Sequence, residues 1–342
     1  MRKDFANKSF PVICFALFFC IMKCGIAEAS ESVKIGVITD IHKCSAIKND
    51  SITTKLLNKF NSSVNFEATD FNIDLGDNIS YRVNECSHTA NEDLEWVINN
   101  LNTVSPLYHT LSDHDIDDKK SFNHWKKTTG TSKTYYSFNV KDVHIVILDT
   151  ITGSGKIYKK CKKDAKCKKY KKKYKRYKNL LKNNEELSKY LKQKNITKKK
   201  LSKRKKKYKK LYIKRKSKIK KTRSIKSWDR GNLSNNQLSW LKNDLKNTSL
   251  NKIVLFSDHP LFYFRKPNGG KKYNIRNRAK LNKILYDSGK SIVSISGEAH
   301  LWHQTTINNV TYYIIDDFLS ANGTWAIFEW NDAGFNLRKI NN

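Results

Sequence analysis

Five short segments of this chain set a carboxylate or an imidazole at the end of an apolar run: Asp40-Ile41-His42, Gly76-Asp77-Asn78, Asp113-His114-Asp115, Asp258-His259-Pro260 and Gly297-Glu298-Ala299-His300. Carboxylate oxygen and imidazole nitrogen are common protein ligands for divalent cations, so convergence of these segments would build a metal centre. In Asp40-x-His42 the spacing puts both side chains on one side of an extended segment, where one cation takes an oxygen and a nitrogen together. The preceding runs must do the positioning. Val33 to Thr39, Phe71 to Leu75, Pro106 to Leu111, Lys252 to Phe256 and Ser291 to Ile295 read as buried strands, whose ends would gather the polar groups at one edge of a sheet.

Taken in order, these blocks resemble the calcineurin-like metallophosphoesterase family, whose pattern runs D-x-H, G-D-x-x, G-N-H-D/E, a His two residues before a Pro, and G-H-x-H. The resemblance covers residues 33 to 155 and 227 to 331. It extends to Tyr135-Tyr136-Ser137-Phe138, the strand His144 to Asp149, and Leu233-Ser234-x-x-Gln237-Leu-x-Trp240-Leu241. It implies an α/β (α+β) fold, a two-sheet sandwich with helices outside, and a metal-dependent phosphoric ester hydrolase. The implied reaction is in-line attack by a metal-bridging hydroxide on a phosphodiester, pyrophosphate or phosphomonoester, with His114 stabilising or protonating the leaving oxygen. Of two implied metals, the first would be held by Asp40, His42, bridging Asp77 and His300, with iron or zinc as candidates. Purple acid phosphatases place a Tyr three residues after the bridging Asp and a Gly where His42 stands. Here Tyr81 comes four after Asp77, so the non-purple branch fits better.

The second metal site departs from the family. Where the pattern expects Asn, His and His, this chain has Asp113, Asp258 and Glu298. With 31 acids in 342 residues, composition alone would place acids at all three positions roughly one time in a thousand. Oxygen ligands favour a hard cation such as Mn²⁺, Mg²⁺ or Ca²⁺ over Zn²⁺, so the expectation is an altered second site with weaker or retuned activity. His259, one place after the expected ligand, is expected to pack behind the site, and His303 to face away from it. His88, His109, His124 and His144 carry no motif. A serine hydrolase using Ser112 or Ser257 is disfavoured, because no G-x-S-x-G elbow is present.

The N-terminus reads as a signal peptide over residues 1–29. Arg2, Lys3 and Lys8 precede the apolar stretch Phe10 to Met22, and Ala27-Glu28-Ala29 offers a cleavage site. At 13 residues the apolar core is too short to span a bilayer of roughly 30 Å. The mature chain is therefore expected in a secretory, periplasmic or extracellular space. Four cysteines follow that segment, predicting a Cys44–Cys86 disulfide on neighbouring loops and a small Cys161–Cys167 loop.

Residues 156–226 hold 36 Lys/Arg against 3 Asp/Glu, a net +33 out of +36. The remainder is nearly neutral, so the expected organisation is one domain in two parts, 30–155 and 227–342, interrupted by a Lys-rich insertion. Tyr170, Tyr174, Tyr177, Leu181, Leu187 and Leu191 form a partial helical stripe, but self-repulsion favours a solvated, partly disordered segment over a helical hairpin. Such a run could bind nucleic acid or an anionic surface, and a silent family member holding an anionic partner through it is the alternative function. Helices are expected at Glu92 to Leu101, Leu238 to Leu245 and Leu281 to Tyr286, with a capping box at Ser234 and Gln237. Late strands are expected at Thr311 to Ile315, Trp325 to Trp330 and Phe335 to Ile340. Asn49, Asn61, Asn195, Asn232, Asn247, Asn309 and Asn322 begin glycosylation triplets, as does Asn78 inside the proposed site.

Overall fold

Alternation of apolar residues along the strands builds the core. In a computed structural model that describes residues 32–46, 50–80, 85–116, 119–152, 165–224, 231–265, 272–319 and 323–341, two sheets face each other. The first has the order β13 (Gly334–Ile340), β12 (Trp325–Asn331), β1 (Val33–Ile38), β2 (Phe71–Asp74), β3 (Leu107–His109). The second has the order β10 (His303–Ile307), β11 (Val310–Ile314), β9 (Ser291–Ser296), β6 (Lys252–Ser257), β5 (Val143–Leu148), β4 (Tyr136–Val140). A two-stranded ribbon, β7 (Phe264–Arg265) with β8 (Lys272–Tyr273), stands apart. Val33, Ile35 and Val37 of β1 meet Val143, Ile145 and Ile147 of β5 and Val254 and Phe256 of β6 in one buried layer between the sheets.

Residues of opposite parity face outward and are covered by helices. Ile253 and Leu255 lie under α7 (Asn235–Asn247) and α8 (Arg278–Asp287) through Leu238, Leu241, Leu245, Leu281 and Leu285. On the other sheet, Ile38 and Ile327 lie under α1 (Asp50–Phe66) and α2 (Ala90–Asn100). The third helix, α3 (Lys119–Thr128), buries Trp125 against Leu94, Leu111 and Ile116. Neither α1 nor α3 was expected from sequence. In α1 only Leu56, Leu57, Phe60 and Val64 face the core, within a run otherwise rich in Ser, Thr and Asn that reads as a loop.

Strands β1, β2 and β3 are parallel, as are β5, β6, β9 and β11. Their carboxyl ends therefore point the same way within each sheet, the edge at which open α/β sheets place ligands. The predicted capping box forms by half. Ser234 Oγ accepts from Gln237 N at 3.0 Å, whereas the Gln237 amide pairs with both backbone groups of Asp149, accepting from N at 3.1 Å and donating to O at 2.9 Å. It acts as a surrogate peptide that pins α7 to the end of β5.

Within the insertion, the helical alternative is the one observed over Ala165–Leu180 (α4), Asn184–Lys194 (α5) and Lys198–Ser224 (α6). Tyr177, Leu187 and Leu201 are buried together, Tyr208 packs against Tyr170 and Tyr177, and the Asn183 side chain caps α5 by accepting from Glu186 N at 3.1 Å. The few apolar residues are spaced to meet, which charge bookkeeping does not reveal. Cys44 and Cys86 are bonded as expected. Residues 1–29, Tyr81 and Cys161 lie outside the described residues, and with them the signal peptide, the Tyr81 spacing and the Cys161–Cys167 loop. No described helix is long and apolar enough to cross a membrane.

Candidate metal centre

Strands β1, β2 and β9 each turn through left-handed residues at the common edge. Asp40, His42, Asp77, Glu298 and His300 all have positive φ, between 49° and 63°, and Gly76 has φ 99°. Non-glycine residues rarely adopt this conformation, and clusters of it gather where the backbone is held against its preference to aim side chains. The turns are stitched across strands: Asp40 N donates to Gly76 O at 3.0 Å, His42 N to Asp77 O at 2.8 Å, and Gly297 N to Asp258 O at 3.1 Å. Gly297 leaves no room for a side chain, since a Cβ there would lie 2.1 Å from Thr39 Oγ1 and 2.8 Å from Asp40 Oδ2.

All eight residues singled out from the sequence converge. Asp40, His42, Asp77 and His300 bring one potential ligand atom each within 4.8 Å of one another. His300 Nε2 stands 3.1 Å from Asp40 Oδ1 and 3.3 Å from His42 Nε2, and His42 Nε2 lies 3.9 Å from Asp77 Oδ2. The same criterion groups Asp77 with Asp258 and Glu298, and Asp77 with Asp113 and His114. Asp77 thus belongs to both halves. The half-buried His114 ring sits edge-on to His42 with centroids 5.1 Å apart, beside carboxylates that are almost wholly buried.

Burial makes the chemistry of the acids decisive. Asp40, Asp77, Asp113 and Asp258 are at most 1% exposed. Asp77 Oδ2 and Asp258 Oδ1 receive no hydrogen bond, while Asp40 Oδ1 and Asp258 Oδ2 are met only by imidazole nitrogens, His300 Nε2 at 3.1 Å and His259 Nδ1 at 2.7 Å among the nearest. Buried oxygens without donors are costly, and a bound cation is the usual remedy. The donor set fits divalent cations: two imidazoles and two carboxylates on one side, carboxylates on the other.

The two halves differ electrostatically. Burial pushes the Asp40 carboxyl up, but His300 and His42 outweigh it and hold it well below its ordinary value. Asp77 is also pushed up by burial and brought below its ordinary value by His114 and His42. On the other side, burial and then Asp77 and Asp113 drive Asp258 well above the usual carboxylate range. Glu298 is driven up by burial and then by Asp113 and Asp77. Three imidazoles compensate the first half, while the second half concentrates negative charge that only a cation or protons offset.

Further residues stand around the centre. His259, expected to pack behind the site, is fully buried, with Nδ1 3.1 Å from Thr150 Oγ1 and 2.7 Å from Asp258 Oδ2, and Nε2 4.0 Å from Glu298 Oε1. It also groups with Asp113 and Glu298 as a potential ligand. Asp317 Oδ2 stands 3.5 Å from His300 Nδ1, the outer contact that fixes the ring of a ligating His. His109, which carried no motif, contacts Asp74 Oδ2 at 2.9 Å, and Asp74 Oδ1 accepts from Gly76 N at 2.8 Å, holding the turn that aims Asp77. A lone buried Asp at a strand end, three residues before Asp77, was the available signal. As expected, His303 faces away, packed on Phe262 and Phe264, while His144 pairs with Asp244 at 2.9 Å and His124 lies near the surface. Asn78 is fully buried and donates to Asp74 Oδ2 at 2.6 Å, a setting with no space for a glycan.

No family model matches the sequence, and no curated protein does. Solved structures do match. A dimetal phosphatase from Danio rerio aligns over 92% of this chain and 99% of its own, at 12% identity and a TM-score of 0.57. GAP50, described as the anchor in the inner membrane complex of Plasmodium, aligns over 91% of this chain and 84% of its own, at 11% identity and a TM-score of 0.50.

Proposed function

From the calcineurin-like metallophosphoesterase fold that this chain has, we propose that it is an exported metal-dependent hydrolase of phosphoric esters, with a carboxylate-rich second metal site. The observation that carries this reading is the place of Asp77, within reach of Asp40, His42 and His300 on one side and of Asp258 and Glu298 on the other. One carboxylate shared by two ligand groups is what a two-metal centre needs. Asp40, His42, Asp77 and His300 would hold one cation; Asp77, Asp113, Asp258 and Glu298 would hold the other. When bound, the cations supply Lewis acidity and an activated water for in-line attack on phosphorus. The oxygen-rich half suits Mn²⁺, Mg²⁺ or Ca²⁺.

The chain's own residues divide the remaining work. In this reading His114 donates a proton to the leaving oxygen. Its backbone N–H donates to Asp77 Oδ1 at 3.2 Å, tying its position to the shared carboxylate. Asp317 and Asp74 orient His300 and the Asp77 turn. The apolar segment before Ala29 and the Cys44–Cys86 bridge support export to an oxidising compartment.

The test is turnover of bis-p-nitrophenyl phosphate by chelator-stripped protein refilled separately with Mn²⁺, Mg²⁺, Ca²⁺ and Zn²⁺. Metal-restored turnover that falls by about 10²–10³ in Asp77→Asn supports the hydrolase. A second reading is favoured by the three carboxylates that replace neutral ligands: a silent member that binds an anionic partner through its Lys-rich insertion; GAP50, of similar fold, is described as an anchor. Metal binding without turnover in any of the four ions would select it.

A further inference from the structure

The Lys-rich insertion is rooted at the metal centre. The chain leaves the core beyond Thr152 and rejoins it at Gly231, and Asn232 N donates to Thr150 O at 2.7 Å, so the two roots lie side by side. Both touch His259: Thr150 Oγ1 is 3.1 Å from its Nδ1, and a Cβ on Gly231 would stand 3.0 Å from its Cγ. His259 in turn contacts Asp258 and groups with Asp113 and Glu298. Ser224, the last residue of α6, is seven residues before Gly231 and so lies within about 25 Å of it.

The exposed surface of this arm is specific in kind. Lys203, Lys206, Lys207, Lys210 and Lys214 of α6 are exposed at i, i+3, i+4, i+7 and i+11, a ridge about 16 Å long on one face. Three tyrosines are engaged internally, with Tyr208 packed on Tyr170 and Tyr177 and accepting from Lys173 Nζ at 3.2 Å. Over residues 169–214, Ile213 is the one large apolar side chain that is exposed. A helix that enters a membrane interface needs an apolar face, and residues 169–214 show none. A row of lysine point charges along a helix axis complements a linear chain of phosphates, contacted through its backbone and not through its bases.

We infer that the insertion is the substrate-holding arm of this centre, and that the substrate is a nucleic-acid strand gripped by its phosphodiester backbone. The inference rests on the hydrolase reading: one strand supplies both the phosphates that the lysines hold and the ester bond that is cut. Cleavage adds one water across a P–O ester bond, leaving one end with a hydroxyl and the other with a phosphate monoester. Because the lysines read backbone charge, cleavage should be indifferent to sequence.

The experiment uses the full chain with Mn²⁺ and a fluorescein-labelled single-stranded 20-mer, followed by anisotropy between 50 and 200 mM salt and by cleavage on a gel. Two variants accompany it: Lys203, Lys206, Lys207, Lys210 and Lys214 all changed to Gln, and a chain in which a short Gly-Ser linker joins Thr152 to Gly231. If each lysine meets one phosphate, the five-lysine variant loses about 3.5 from the slope of log affinity against log salt. Oligonucleotide cleavage should fall at least about tenfold in both variants while bis-p-nitrophenyl phosphate turnover is unchanged. Oligonucleotide binding and cleavage that survive removal of the arm would overturn the inference and leave the hydrolase standing. Arm-dependent binding to phosphatidylserine vesicles without binding to the oligonucleotide would overturn it too, in favour of a membrane. Absence of bis-p-nitrophenyl phosphate turnover in the unaltered chain would instead sink the hydrolase reading itself.

Discussion

Stripping the cations from this protein should reverse the sign of its pH dependence of stability. Asp115, Asp258 and Glu298 are driven well above ordinary values of 3.8, 3.8 and 4.5, in each case by burial first and by neighbouring carboxylates second. As pH rises past about 5 the unfolded chain has released these protons, and the metal-free folded chain releases them later. The folded state then binds more protons, so stability falls as pH rises. Each proton held by the folded state alone contributes about −1.4 kcal/mol per pH unit to the slope, and Asp149, also raised by burial, acts in the same direction. His300, raised because Asp40 outweighs its burial, acts in the same direction, its stabilisation being lost as pH climbs through its folded value. Asp40 and Asp77 are lowered, so their stabilisation is already complete above about pH 5 and is lost only below it, leaving the slope from pH 5 to 7 untouched. A bound cation requires the ionised carboxylates and releases the protons, so loaded protein should hold or gain stability over the same range. Urea unfolding at pH 5, 6 and 7, in chelator and in excess Mn²⁺, gives both slopes. Metal-free protein that gains stability from pH 5 to 7 would refute the account of the carboxylate cluster.

Other perturbations report on single contacts. Replacing Cys44 and Cys86 by Ser opens a loop of sequence separation 42 and should cost about 4 kcal/mol in urea unfolding under non-reducing conditions. Asp317→Ala removes the outer contact of His300 and should weaken metal binding at the first half about 10–100-fold by calorimetry, with little change in melting temperature of the metal-free protein. Gly297→Ala forces a Cβ into Thr39 Oγ1 and Asp40 Oδ2 and should destabilise by about 1–3 kcal/mol while lowering metal occupancy, read by urea unfolding and elemental analysis. Asp258→His returns a nitrogen ligand to the second half, and competition dialysis should show Zn²⁺ gaining on Mn²⁺.

Strands that carry the centre were legible because they are buried on both faces. Val33 to Ile38 and Lys252 to Ser257 have nearly unbroken apolar runs, and each ends where a polar ligand begins. Helix α1 was not legible, since its four core contacts are diluted among Ser, Thr and Asn, and helical period is weak evidence in so polar a window. The insertion misled for a related reason. Its charge count is a property of the whole segment, whereas its folding turns on three buried side chains, Tyr177, Leu187 and Leu201, whose meeting depends on where two turns fall.

Which candidate ligands gather together was readable from order along the chain, but the balance between the two halves was not. Sequence showed that three acids replace Asn, His and His; only burial shows what that means. Three imidazoles, His42, His114 and His300, stand beside Asp40 and Asp77 and lower both carboxyls. Asp258 and Glu298 face other carboxylates first, and His259 contacts Asp258 from the side away from solvent. A pocket abandoned by evolution would be expected to fill with apolar side chains or to let its acids turn to solvent, because carboxylates crowded together in the interior are costly to keep. Here Asp113 and Asp258 are both fully buried, and five residues of the centre hold left-handed turns that each cost about 1–3 kcal/mol. Crowded, buried charge of this kind is what the proposed cation on the carboxylate side would offset.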